Sequence, residues 1–148
     1  MSIAGNIVIL YRSRSGNTRA AAEATGELLA DRGARVSVRP VEHYEIKEMA
    51  EADMLVLGTW TDGLFFIGQR PGELRHFKAL PNLAGKPVTT FCTFALNAGK
   101  TIERFSKWVT SDGAQALGGH AIKRSDIADG AEELANLVER KMKHRVSR

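Results

Sequence analysis

The chain of 148 residues has a single cysteine, Cys92, so it cannot form an intramolecular disulfide. Cys92 lies in the apolar run 88–94, where we expect a small buried hydrophobe; a redox role is the alternative. No apolar run approaches the roughly 20 residues of a transmembrane helix, and residues 1–5 lack the pattern of a signal peptide. The sequence therefore predicts a cytoplasmic protein with no membrane span.

Acidic residues are fewer than basic ones, 17 against 21, and the net charge is +4. This modest excess favours acidic partners or an anionic ligand. The length suits one hydrophobic core, and we predict a single domain over residues 1–148. Residues 140–148 are predicted to form a basic helix end or tail; binding of nucleic acid or membrane by this tail is the less favoured alternative.

The most informative stretch is 6–18, where an apolar run stops at a hydroxyl-rich turn and an alanine-rich helical pattern follows. An unbroken apolar run predicts a strand covered on both faces. The first N–H groups of a helix have no intrahelical partner and carry partial positive charge, so the turn favours a phosphate ligand. A plain helix N-cap is the alternative. The predicted ligand residues of this turn are Ser13, Arg14, Ser15, Gly16, Asn17 and Thr18.

Two other phosphate-binding motifs are absent. The sequence contains no Gly-x-Gly-x-x-Gly dinucleotide fingerprint. Residues 99–101 have the Gly-Lys-Thr ending of a Walker loop, but Phe94 stands where its first glycine is required. Neither a dinucleotide-binding fingerprint nor a Walker loop therefore accounts for the predicted phosphate ligand.

The segment Ser13–Thr18 resembles the phosphate loop of the flavodoxin family, whose pattern is Thr/Ser-x-Thr/Ser-Gly-Asn-Thr and which holds the phosphate of flavin mononucleotide (FMN). The resemblance implies a flavodoxin-like three-layer α/β sandwich with a five-stranded parallel sheet in the order 2-1-3-4-5. It also implies a short-chain form, because the long insertion of long-chain flavodoxins is missing. In this order the first and third strands flank the topological switch point, where ligands bind.

The periodicity of the remaining chain predicts the other elements. The strands are expected at 7–11, 35–39, 54–57, 88–94 and 120–124, with the second and the last at the sheet edges. The helices are expected at 17–32, 41–52, 73–78 and 99–117, with a last one after Asp126 or Asp129. Gly118 and Gly119 are predicted to end the fourth helix.

The third predicted strand is followed by a break at 58–63. The resemblance to flavodoxins implies that this break is the first loop that contacts the flavin ring. Trp60 is predicted to cover one ring face, and the Asp62-Gly63 peptide to flip when the ring atom N5 gains a proton. The apolar continuation 64–68 has three interpretations: a lid, a partner-docking patch, or a loop packed on the core. The predicted cofactor-binding residues of this segment are Thr59, Trp60, Thr61, Asp62 and Gly63.

The exit of the fourth strand corresponds to the second ring loop of flavodoxins, which usually supplies a stacked tyrosine. No tyrosine is present here, so Phe94 is the predicted stacking residue, with an ordinary core role as the alternative. Asn97 and backbone amides are predicted to bond the pyrimidine edge of the ring. The predicted residues of this loop are Thr93, Phe94, Ala95, Leu96 and Asn97.

The resemblance implies an FMN-binding electron-transfer protein whose partners are a reductase and an acceptor protein. One alternative is an FMN-dependent NAD(P)H:quinone-type oxidoreductase that uses 64–67 as an acceptor pocket; another is a flavodoxin-like binding module that has lost FMN. No residue is identified as a catalytic acid or base. Positive charge at Arg14, Arg70, Lys100 and Arg104 should stabilise the anionic reduced flavin and make its second reduction potential less negative.

Overall fold

The computed structural model describes residues 3–64, 67–81, 83–111 and 113–146, and it has the predicted α/β architecture. The strands are β1 (Asn6–Tyr11), β2 (Arg35–Pro40), β3 (Met54–Leu64), β4 (Ile67–Pro71), β5 (Pro87–Phe94) and β6 (Gln115–Lys123). The helices are α1 (Asn17–Asp31), α2 (Ile46–Glu51), α3 (Arg75–Lys78), α4 (Thr101–Ser111) and α5 (Ile127–Val146). The parallel strands follow the order β2-β1-β3-β5-β6, and β4 pairs antiparallel with β3. The five parallel strands thus have the predicted order, with β4 inserted as a sixth strand.

Helices cover both faces of the sheet. Ile7 and Ile9 of β1 belong to the core shared with α1 and α5, whereas Val8 and Leu10 belong to the core beneath α2, α3 and α4. All four side chains are at most 3% exposed. This double burial confirms the interpretation of the unbroken apolar run, because both faces of a central parallel strand are covered.

The prediction that β3 ends at Leu57 was wrong. The strand continues through the predicted loop 58–63 to Leu64, and it then pairs with β4 through Asp62 and Arg70. The backbone hydrogen bonds of this hairpin are made only when 67–71 folds back, so the glycine and threonine turn signals were outweighed by tertiary pairing. Phe65 and Phe66 lie outside the described residues, and the role of the apolar segment stays a prediction.

The prediction of a helix over 99–117 was also wrong, because α4 ends at Ser111 and the expected terminators lie inside β6. Gly118 has a φ of 120° and sits at an irregularity where β6 carries one extra residue against β5. A Cβ on Gly119 would overlap the hydroxyl of Thr90 on β5. These glycines therefore permit a bulge and a close strand approach instead of ending a helix.

Smaller differences affect the connecting helices. The helix expected over 41–52 is a 3₁₀ turn at Val41–His43 followed by α2, and α3 begins at Arg75. Helix α5 continues through the basic segment as far as Val146. None of the helices in the described ranges is long and apolar enough to cross a bilayer.

Candidate functional site

The three predicted ligand loops meet at the carboxyl edge of the parallel sheet, where β1, β3 and β5 end. A cavity of about 70 Å³ opens there. Every lining residue except Arg124 was predicted as a cofactor-binding residue from the sequence. The lining residues are Arg14, Ser15, Asn17, Trp60, Thr61, Thr93, Phe94, Ala95 and Arg124.

The loop before α1 is shaped by its own short hydrogen bonds. The N–H of Gly16 donates to Ser13 Oγ at 3.0 Å, and Asn17 Nδ2 donates to Ser15 Oγ at 3.2 Å. Gly16 is the N-cap of α1 with a φ of 96°, and no side chain caps the helix. The first helical hydrogen bond runs from Ala20 N–H to Gly16 O, so the preceding N–H groups lie outside the helix ladder. They can bind the oxygens of an anion together with the serine hydroxyls.

The hydroxyl of Thr18 is placed differently from those of the serines. Thr18 is 1% exposed, and its Oγ1 lies 2.8 Å from Oγ1 of Thr93. This hydrogen bond connects the start of α1 to the end of β5. It ties the predicted phosphate loop to the second ring loop.

We expect the Thr93→Val variant to lose about 2 kcal/mol of stability, because it leaves the buried Thr18 hydroxyl without its partner. The double variant Thr18→Val/Thr93→Val removes both hydroxyls and should be within about 1 kcal/mol of the parent. Urea unfolding of the four proteins in this cycle measures the coupling. A double variant whose loss of stability equals the sum of the two single losses would contradict this coupling.

The indole of Trp60 is held in place by three contacts. Its Nε1 donates to Asp62 Oδ1 at 2.8 Å, and the guanidinium carbon of Arg14 lies 5.8 Å from the ring centroid. The ring also lies against the backbone of Gly72, where any Cβ would overlap it. Gly72 N–H donates to Trp60 O at 2.7 Å, which fixes this approach. Trp60 is thus a wall of the cavity, and its role as the cover of a flavin ring stays a prediction.

Asp62 links the first two loops. Besides the indole N–H, its Oδ1 lies 3.5 Å from a guanidinium nitrogen of Arg14, which is 72% exposed. Such an exposed ion pair contributes at most about 1 kcal/mol. The contact is weak enough for Arg14 to move without a large cost.

The second ring loop is partly engaged in local structure. Phe94 and Ala95 are half-buried, while Leu96 is 69% exposed. Asn97 Oδ1 accepts a hydrogen bond of 2.9 Å from Gly99 N–H and so shapes the turn before α4. Phe94 is therefore available to the cavity, whereas the side-chain oxygen of Asn97 already has a partner.

Two threonines of the first ring loop have buried hydroxyls: Thr59 is fully buried, and Thr61 is half-buried. Thr59 donates a 2.7 Å hydrogen bond to Gly72 O, which anchors the end of the hairpin on β3. Thr61 lines the cavity, but its hydroxyl oxygen is buried beside the thiol of Cys92.

Cys92 is buried on β5, next to Thr61. Burial raises the pKa of its thiol from 9.0 to about 11, and the neighbouring Thr61 hydroxyl partly opposes the rise. The thiol is therefore protonated at neutral pH, as expected for a core residue.

The free energy of unfolding should fall as the pH rises from 9 to 11, because the folded state keeps the Cys92 proton after the unfolded state has lost it. The expected loss from this group is roughly 2–3 kcal/mol. Urea titrations of the parent and Cys92→Ala proteins at several pH values isolate the contribution. Parallel pH profiles for the two proteins would contradict the prediction.

Arg124 is the lining residue that sequence reasoning missed. It follows β6, and its N–H donates to Phe94 O at 2.9 Å. No motif marks this position, and only the parallel pairing of β5 with β6 brings it to the cavity. Arg12, by contrast, is ion-paired with Glu42 and Glu73.

These donors fit FMN. The serine hydroxyls and uncapped N–H groups suit a phosphate, and Trp60 and Phe94 provide aromatic surfaces for a flavin ring. The cavity of about 70 Å³ is smaller than the roughly 300 Å³ of a typical small-molecule site. A flavin ring enclosed between these loops would need more room than this, and the weak Arg14–Asp62 contact would let Arg14 move aside.

Comparisons with known proteins assign the chain to a family. The sequence model of the flavodoxin domain matches residues 8–144. The chain belongs to the flavodoxin domain family. Among curated proteins, no sequence matches this flavodoxin-domain chain.

Several solved structures share the fold of this flavodoxin domain. The two-electron reduced flavodoxin of Megasphaera elsdenii has a TM-score of 0.73 and 23% identity, with 90% of this chain and 98% of that chain covered. Oxidised flavodoxin 2 from Bacillus cereus has a TM-score of 0.69 and 24% identity, with coverages of 92% and 99%. Rubredoxin oxygen:oxidoreductase from Desulfovibrio gigas has a TM-score of 0.71 and 18% identity, with coverages of 99% and 38%.

Proposed function

We propose that this flavodoxin-domain protein binds FMN and carries electrons between redox partner proteins. The observation that supports this best is the meeting of all three predicted loops at one cavity on the carboxyl edge of the sheet. The cavity lining combines Arg14, Ser15 and Asn17 of the phosphate-loop pattern with Trp60 of β3 and Phe94 of β5.

In this proposal Ser13, Ser15 and the N–H groups at the start of α1 bind the phosphate, and the ring lies between Trp60 and Phe94. Bound FMN supplies one- and two-electron transfer. The chain itself orients the ring, limits its contact with water and, through Arg14 and Arg124, places positive charge beside it.

The decisive experiment is a titration of the protein with FMN, followed by visible absorption and flavin fluorescence. We expect binding of one FMN with shifted absorption bands and quenched fluorescence. Riboflavin, which lacks the phosphate, should bind more weakly because it cannot use the loop. Absence of FMN binding at micromolar concentration would overturn the proposal.

The alternative to an electron carrier is an FMN-dependent NAD(P)H:quinone-type oxidoreductase. The acceptor pocket of the latter depended on the segment 64–67, of which Phe65 and Phe66 lie outside the described residues. The oxidoreductase interpretation stays a prediction, and turnover of NADH or NADPH with a quinone by the FMN-loaded protein would test it.

A further inference from the structure

Exposed basic side chains surround the candidate FMN site. Arg14 and Arg124 both line its cavity. Lys123 precedes Arg124 and pairs in register with Phe94, which places it at the same edge of the sheet. Arg14, Lys123 and Arg124 are exposed.

A second group of cations lies on the β4 and α4 side of the site. Gly99 packs on β4, where a Cβ would lie 2.6 Å from Gln69 Cβ. Lys100 follows Gly99 and Arg70 follows Gln69, so both cations belong to the two segments that meet at this contact. Arg104 lies one helical turn beyond Lys100, and its N–H donates to Lys100 O at 2.9 Å. We call the combined set the basic rim; its members are Arg14, Arg70, Lys100, Arg104, Lys123 and Arg124.

The charge of the basic rim is largely uncompensated. In the described part of the chain, the one ion pair of the rim is the 3.5 Å contact of Arg14 with Asp62. Glu103, Asp126 and Asp129 are further acids beside the rim; all three are exposed, and Asp126 lies close to Asp129. Cations therefore outnumber carboxylates on this side of the site, whereas Arg12 nearer β2 is neutralised by two glutamates.

Two of these cations oppose the dipole of α4. Lys100 immediately precedes the helix and Arg104 lies in its first turn, where the helix end carries partial positive charge. Cations at this end usually cost about 0.3–1 kcal/mol. The local stability of α4 therefore does not account for their placement, whereas a positive surface field does.

An exposed apolar residue lies within this charged surface. Leu96 is 69% exposed and follows Phe94 and Ala95 of the cavity wall. An apolar contact surrounded by charge is typical of protein–protein interfaces, where the charges steer the approach and fix the orientation.

We propose that the basic rim and Leu96 dock a redox protein with an acidic surface, which exchanges electrons with FMN across the cavity mouth. This inference rests on the proposed function, since it requires FMN in the cavity. Charge complementarity selects the partner, and a partner with a basic surface is repelled.

The test uses the FMN-loaded protein in stopped-flow mixing with two probes of opposite charge. A reduced, acidic plant-type [2Fe–2S] ferredoxin donates one electron to the oxidised flavin, and a basic ferric cytochrome c accepts one electron from the reduced flavin. We expect the ferredoxin rate constant to fall about tenfold between roughly 10 mM and 500 mM ionic strength. The cytochrome c rate constant should rise over the same range.

Reversing the charge of two rim residues tests whether the rim causes the salt dependence of the ferredoxin rate constant. The variant Lys100→Glu/Arg104→Glu replaces cations at the α4 start by carboxylates, which the helix dipole favours, so folding is retained. Its ferredoxin rate constant at low salt should fall about tenfold or more. The matched control is Arg35→Glu/Arg140→Glu, which makes the same change in net charge on exposed residues at the opposite edge of the sheet. The control should keep the parent rate.

The outcomes are separable because FMN binding is measured first for each protein. Failure to bind FMN overturns the proposed function, and the docking inference falls with it. Bound FMN with salt-independent rates, or equal losses in the two variants, overturns the docking inference alone. Displacement of the ferredoxin by a short DNA duplex at 150 mM salt would overturn it in favour of nucleic acid.

Discussion

The Ser15→Asp variant is expected to bind FMN about 100-fold more weakly than the parent, with riboflavin binding unchanged. Ser15 is exposed in the loop before α1, and its hydroxyl accepts a hydrogen bond from Asn17. A carboxylate there lies within a few ångströms of the bound phosphate, and repulsion of about 3 kcal/mol at that separation corresponds to this factor. Fluorescence titrations with the two flavins measure the effect.

The difference between the two flavins is the informative quantity. A general disturbance of the ring loops would weaken FMN and riboflavin equally, whereas loss of the phosphate site affects FMN alone. Asn136→Asp, which adds the same charge on the exposed surface of α5, is the matched control and should bind both flavins like the parent. Equal binding of FMN by Ser15→Asp and parent would contradict the phosphate assignment.

The Gly58→Ala variant is expected to lose about 3 kcal/mol of stability and to melt roughly 10 °C lower. Gly58 of β3 lies opposite Phe91 of β5, and a Cβ at this position would overlap the Phe91 ring. Phe91 is fully buried in the core beneath α1 and α5, so its ring has little room to move. Thermal unfolding followed by circular dichroism measures the loss.

A second-site change shows whether the clash itself is the cause. In the Phe91→Leu background the smaller side chain leaves space for the new methyl group, so Gly58→Ala should cost at least about 1 kcal/mol less there. A parent-like melting temperature for Gly58→Ala would mean that the Phe91 ring shifts at little cost. An equal loss in both backgrounds would assign the effect to the backbone of β3.

The β1 strand, the loop and α1 could be predicted from local sequence because their signals are local. The run Ile7–Tyr11 is apolar at every position, and the glycine and hydroxyl residues of 13–18 follow at once. The strand order was also predicted, because the segment 13–18 resembles the phosphate loop of a family with a known strand order. Predictions failed where glycine has more than one use, as at Gly118, whose positive φ serves a bulge in β6.

The sequence by itself determined the strand, turn and helix of the predicted phosphate loop, the parallel sheet and the three segments that reach its carboxyl edge. Only the tertiary structure decided how those segments meet. Pairing with β4 turned the predicted loop 58–63 into strand and fixed the indole of Trp60 against Gly72. Pairing of β5 with β6 brought Arg124 to the cavity. The physical reason is that these contacts join residues distant in sequence, so no local pattern encodes them.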